Sequence, residues 1–249
     1  MRSDYIQLAQ TGFLILTLVC MVLVLVGIRK TLLKMGKPAA KANQKTMVIA
    51  GIMLGWLALV SLLSLSGILS DFSTFPPKIP LVILPPLVTS LILTFHPKFR
   101  NFLAHVPPQW LLYLQMFRVP VEIFLWWLFL ANALPVQMSF EGRNWDVLTG
   151  LTAPLFAWLC FGNGRRNNTL ALLWNVFGFA LLLNIVATAI LSLPTPIRVF
   201  LNEPDSSFVT TFPIVFLPSV LVPLAYTLHF FSVRQLWFQR KNFKAASNT

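Results

Sequence analysis

The sequence predicts an all-α polytopic membrane protein, seven transmembrane helices forming a single membrane domain over residues 1–249. Three observations predict it. The chain is 57% apolar and only 10% charged, with a mean hydropathy of +0.75, so it lacks the polar surface that a soluble domain of this length must show to water. Apolar runs recur along it, most of them near the roughly 20 residues that cross a bilayer. The basic residues collect at the ends of those runs, on every second connection.

The first run, about 5–28, starts at Tyr5 behind Asp4. It is longer than a signal-peptide core and shows no small-residue cleavage site, so it is expected to remain as a helix. Later runs place helices at about 47–69, 80–96, 109–134, 147–162, 169–193 and 213–232. These spans and their short connections use up the length, leaving no separate soluble domain.

Orientation follows from charge. Arg29, Lys30, Lys34, Lys37, Lys41 and Lys45 lie between the first two spans, Lys98 and Arg100 between the third and fourth, and Arg165 and Arg166 between the fifth and sixth. Arg234, Arg240, Lys241 and Lys244 follow the seventh. The other side holds Arg2, Lys78, Arg143 and Arg198 with Asp4, Asp71, Glu141, Asp146, Glu203 and Asp205. The Lys/Arg-rich side is cytoplasmic by the positive-inside rule, which puts the N-terminus outside and the C-terminus inside a bacterial inner membrane. The net charge of +12 is thus a topology signal and not a nucleic-acid face. Cys20 and Cys160 fall within apolar runs and read as buried thiols.

Gln115, Arg118 and Glu122 are spaced i, i+3, i+7 on span four, which aligns them on one face near mid-membrane. An isolated charge there costs at least about 2.5–3.5 kcal/mol, so the stripe is expected to face inward with Arg118 and Glu122 paired. The pair is either a structural pin or a substrate, ion or proton site, and periodicity does not separate the two. Asn184, Thr188 and Ser192 form a second stripe on span six, expected to pack on a neighbouring helix. Outside, Glu141, Arg143, Asn144 and Asp146 crowd one loop, and Arg198, Asn202, Glu203 and Asp205 another. Their opposite charges predict pairing across the loops, as a lid or as the rim of an outward-facing cavity. Pro85, Pro86, Pro218 and Pro223 lie inside spans, where they kink helices and free carbonyls.

An ungapped comparison aligns Pro80-Leu-Val-Ile-Leu-Pro85 with Pro213-Ile-Val-Phe-Leu-Pro218, and Thr94-Phe-His96 with Thr227-Leu-His229. More weakly, Thr46 and Gly55 match Thr169 and Gly178. This predicts a parallel repeat of two triplets joined by the fourth span. Such a three-plus-one-plus-three plan resembles the SWEET and PQ-loop transporters in topology. The Pro108-Gln109 pair, however, starts span four, which is not where PQ-loop proteins carry theirs. The plan resembles rhodopsin-like bundles more loosely, and Ile214 to Phe231 lacks the Schiff-base lysine that a retinal protein requires. The chain also resembles uncharacterised seven-helix bacterial membrane proteins through Phe140-Glu-Gly-Arg-Asn-Trp-Asp146 and Arg198-Val-Phe-Leu-Asn-Glu-Pro204, followed by Pro218, Pro223 and His229. That resemblance implies a bacterial membrane location and no chemistry.

The repeat-equivalent His96 and His229 are candidate haem or metal ligands if they face each other, or helix-end histidines bonded to carbonyls if they do not. Otherwise no cofactor is expected. No nucleophile and base pair, zinc-protease motif or phosphate loop occurs, so an enzyme is the lesser reading. The leading expectation is a small-solute or ion transporter with a central site at Gln115, Arg118, Glu122 and Asn184, entered from the polar outer loops. The alternatives are a receptor-like sensor with an outward ligand site and a structural subunit of a membrane complex. The expected partners are the bilayer, a small molecule or ion, and a membrane-protein partner or second copy.

Overall fold

Apolar runs of this length satisfy their backbone N–H and C=O groups within themselves, so they form helices. A computed structural model describes residues 2–246, with side chains through Phe238. The side chains of Arg240, Lys241 and Lys244 lie outside the described residues. The helices are α1 (Arg2–Lys34), α2 (Ala39–Leu65), α3 (Pro80–Phe95), α4 (Pro97–His105) and α5 (Pro108–Tyr113). A 3-10 turn, Leu114–Phe117, leads from α5 into α6 (Arg118–Leu130). Then come α7 (Val147–Phe161), α8 (Asn168–Ile190) and, through a π-helical turn at Leu217–Leu221, α9 (Val222–Ala246). No strand occurs among the described residues.

Five stretches are long and apolar enough to cross a membrane: α1, α2, the continuous Pro108–Leu130, Val147–Gly164 and α8. The number rises to six if α3 and α4, bent by 86° at His96, count as one. Pro97 favours an extended residue before it, and His96 takes φ −68°, ψ 126°, turning the chain there. The exteriors of α1, α2 and α3 are apolar, with Ile15, Val22, Met47, Ile52, Leu62 and Ile92 all exposed. Such surface calls for lipid.

Several helices overrun the hydropathy pattern. α1 continues to Lys34 and α2 starts at Ala39, because helical hydrogen bonding does not stop where lipid does. What stops α1 is Gly36 at φ 76°, where Lys37 N donates to Leu32 O and Gly36 N to Leu33 O. α9 likewise runs past the predicted 232.

The proline-rich entry to α9 accounts for its own backbone. Pro223 has no N–H to give Ser219 O, and Trp56 Nε1 of α2 donates to that carbonyl at 3.2 Å instead. The π turn and Trp56 together carry α9 past two prolines.

Connections cluster at two ends. At one, Ser64 and Ser70 bond to Thr210, Gln137 donates to Ser192, and Asn202 donates to Gln137. At the other, Gln235 donates to Leu103 O and Val106 O, and Arg29 to Asn43. In the first group, Lys78 and Ser73 hold the Asp71 carboxyl well below the usual carboxylate range. A depressed carboxyl adds stability above its unfolded value of 3.8 and loses it as pH falls through the folded value. The amide protection factors in residues 71–78 are therefore expected to stay unchanged from neutral pH to about 4 and to fall only below that; Lys78→Met should move the fall upward in pH.

Candidate functional site

The connection 131–146 does not stay at the end of the bundle. Gln137, Met138, Ser139, Asn144 and Asp146 are all buried. Asn184, six residues before the end of α8 and so about 9 Å inside it, donates to Arg143 O at 2.7 Å. The N-terminus of α7 begins within the bundle, with Asn144, Asp146 and Thr149 all buried. Irregular backbone at that depth is tolerated because protein surrounds it.

That descent brings Asp146 to Arg118. Arg118 opens α6 and is 2% exposed, the largest of the fully buried side chains. Its Nε donates to Asp146 Oδ2 at 2.5 Å and its Nη2 to Asp146 Oδ1, the bidentate fork that a guanidinium and a carboxylate form best. Asp146 stands at the N-cap position of α7 yet makes no side-chain cap. Its carboxylate faces Arg118 instead. The sequence expectation of an Arg118–Glu122 pair is thereby corrected. Glu122 Oε2 accepts from Asn144 Nδ2 at 2.5 Å, and Asn144 Oδ1 accepts from Asp146 N. That amide thus ties the Glu122 carboxyl to the backbone N–H of Asp146.

The remaining donors of Arg118 point to α8 and α9. Nη2 reaches Gly178 O at 3.3 Å and Nη1 reaches His229 Nε2 at 3.1 Å. An arginine can only donate, so His229 Nε2 accepts and the ring proton sits on Nδ1, directed at Asn175 Oδ1, 3.0 Å away. Asn175 Nδ2 passes the chain on to Ser232 Oγ at 2.9 Å and Ala171 O at 2.8 Å. A buried relay of hydrogen bonds results, met at Asp146 through its backbone N–H on one side and its carboxylate on the other: Glu122, Asn144, Asp146, Arg118, His229, Asn175, Ser232.

Gly178 permits this approach. A Cβ there would stand 2.7 Å from Thr149 Cγ2 and 2.9 Å from His229 Cε1. Gly150 does the same where α7 crosses α6, against Val119.

Of the other candidates, Gln115 is buried and donates to Ala225 O at 3.3 Å, while its Oε1 has no partner among the described residues. Asn184 is exposed and holds the loop backbone, so it is not part of a site with Arg118 and Glu122. Thr188 and Ser192 are buried, joined by Ser192 Oγ donating to Thr188 O. The loop charges do not pair across loops as expected. Arg198 pairs with Glu203 of its own loop, Glu141 accepts from Trp126 Nε1, and the loops are bridged by Arg143 over the Phe200 ring at 5.3 Å and by Asn202 Nδ2 donating to Gln137 Oε1. His96 is an exposed N-cap accepting from Lys98 N, and His229 is buried, so the two do not share an environment. Among the described residues no group of three or more His, Cys, Asp or Glu is placed to hold a metal.

Sequence reasoning missed Asn175, Gly178 and Ser232. Asn175 and Gly178, like His229 and Ser232, are spaced i, i+3 on neighbouring spans, and that same-face spacing was the available signal.

Comparison with known proteins returns one family, described as a domain of unknown function (DUF8737), which matches residues 77–237 and so takes in the whole relay. Neither a curated protein nor a solved structure matches the chain.

Proposed function

We propose that this chain, which belongs to the DUF8737 family of unknown function, is a membrane transporter for a small solute or ion, coupled to the loading and unloading of a proton at the buried Glu122 carboxyl. One observation carries the reading. The relay contains two carboxyls and one arginine, and Asp146 takes that arginine. Glu122 is left with the Asn144 amide as its hydrogen-bond donor. A bare carboxylate in a low-dielectric interior is costly, so this second carboxyl requires a proton or cation as its counterpart. Loading and unloading that ion is a step a coupled transporter needs.

In this reading the chain crosses seven times, α3 and the π turn with α9 included, and the basic end faces the cytoplasm of a bacterial inner membrane. The two triplets, α1 to α3 and α7 to α9, flank Pro108–Leu130.

Two measurements test the proposal. Single cysteines at Gln115 and Asn144, in a chain without Cys20 and Cys160, are expected to react with an impermeant maleimide from opposite faces of oriented vesicles. Labelling from the outer face alone would favour a receptor-like sensor. In proteoliposomes, Glu122→Gln is expected to slow dissipation of an imposed pH gradient by at least about tenfold, or about 1.4 kcal/mol in the barrier, while the thermal unfolding midpoint stays near wild type. Equal rates in the two proteins would remove the relay from the mechanism.

A further inference from the structure

On the flank of α3, α8 and α9 lies an apolar crevice of about 570 Å³, walled by Phe95, Val176, Phe179, Phe230 and Val233, with Asn175 and His229 at its inner edge. Arg234 and Phe238 lie at its basic end. There Arg100, from α4, and Arg234, from α9, sit over the same Phe238 ring, with guanidinium carbons 4.3 Å and 5.0 Å from its centroid. Arg234 spends one donor each on Leu93 O and His96 O, the carbonyls that end α3. A guanidinium carries five donors, so others remain. Arg100 makes no ion pair among the described residues. Like charges held this close repel, and outside the relay every acid lies on connections at the opposite end or near the N-terminus. The counter-anion must come from outside the chain.

The placement specifies that anion. α4 turns 86° from α3 and carries Lys98 and Arg100, as an interfacial helix does, and Phe95 beside the crevice is 74% exposed. We infer that the crevice is a specific site for an anionic phospholipid, its phosphate held by Arg100 and Arg234 and one acyl chain lying between α3, α8 and α9. A chain in that position touches the face of the Asn175–His229 pair, so the bound lipid abuts the relay. This site stands independently of the transport reading. Phosphate and apolar chain are both required: the arginines alone would serve a soluble phosphate, and the crevice alone would accept any lipid tail.

The test is native mass spectrometry of the purified full chain with equal amounts of dioleoyl phosphatidylglycerol and dioleoyl phosphatidylcholine. The expected result is a preference for phosphatidylglycerol of at least about tenfold, lost in R100Q/R234Q and kept in R100K/R234K. Ala180→Trp fills the crevice without touching either arginine and is expected to lose the lipid as well. Equal retention of both lipids by the wild type would overturn the site. So would retention of phosphatidylglycerol by either R100Q/R234Q or A180W. Displacement by glycerol phosphate at the concentration at which the lipid itself competes would reduce it to a soluble-anion site and overturn the chain-binding half.

Discussion

Arg118→Ala is expected to destabilise the protein by about 3–5 kcal/mol, measured as thermal unfolding of the detergent-solubilised chain. The change leaves Asp146 buried without its counter-ion, and Gly178 O and His229 Nε2 lose the arginine as donor. Asp146→Ala is expected to cost as much, since it strands a guanidinium only 2% exposed. The double replacement Arg118→Met with Asp146→Leu removes both charges and substitutes apolar volume. It should recover most of the loss, because a buried ion pair adds little over well-packed apolar side chains whereas half of one is costly. A cycle in which the single losses simply add would show that the two side chains do not depend on each other. Glu122→Gln belongs to a different class. It leaves the Arg118–Asp146 fork intact and keeps an oxygen for Asn144, so stability is expected to hold while proton movement fails. That split separates a relay from a structural pin.

The helical scaffold was legible because hydropathy and charge placement are local properties. Five of the runs qualify as spans on length and apolarity alone, and a sixth does so only if α3 and α4 count together. Bounds were less legible, since Gly36 and not the edge of the apolar run ends α1. The inward face of span four was also readable: Gln115, Arg118 and Glu122 are all buried, as their periodicity requires. The partner of Arg118 was not. Glu122 is four residues away on the same helix, and local spacing makes it the natural choice. Asp146 wins because a loop counted as external sinks into the bundle, and hydropathy does not register the depth of an irregular segment buried in protein. For His229 the repeat pointed at His96, whose chain position is equivalent but which ends in a corner beside Pro97 at the surface. Its true partners, Arg118 and Asn175, come from elements outside that alignment. Sequence symmetry did not carry the chemistry.

The same contrast gives the second large effect. Gly178 and Gly55 match in the repeat, yet their surroundings differ. Nothing lies within 4 Å of a Cβ built at Gly55, whereas one at Gly178 meets Thr149 and His229 below 3.0 Å. Gly55→Ala is therefore expected to be neutral or to stabilise α2 by up to about 1 kcal/mol, from helix propensity alone. Gly178→Ala is expected to destabilise by about 1–3 kcal/mol, the usual cost of an added methyl in a packed interior. Thr149 yields more readily than His229, whose ring is held on one side by Arg118 and on the other by Asn175. Thr149→Ser removes the offending methyl and should restore part of the loss in the double variant. The residual defect then reports on His229 alone. Displacing its ring lengthens the bond from Arg118, so nitrogen NMR of the imidazole should show Nε2 losing its hydrogen-bonded acceptor character in Gly178→Ala and in the Thr149→Ser double variant alike. A Gly178→Ala protein as stable as wild type, with an unchanged imidazole spectrum, would mean that α8 does not press on the relay at all.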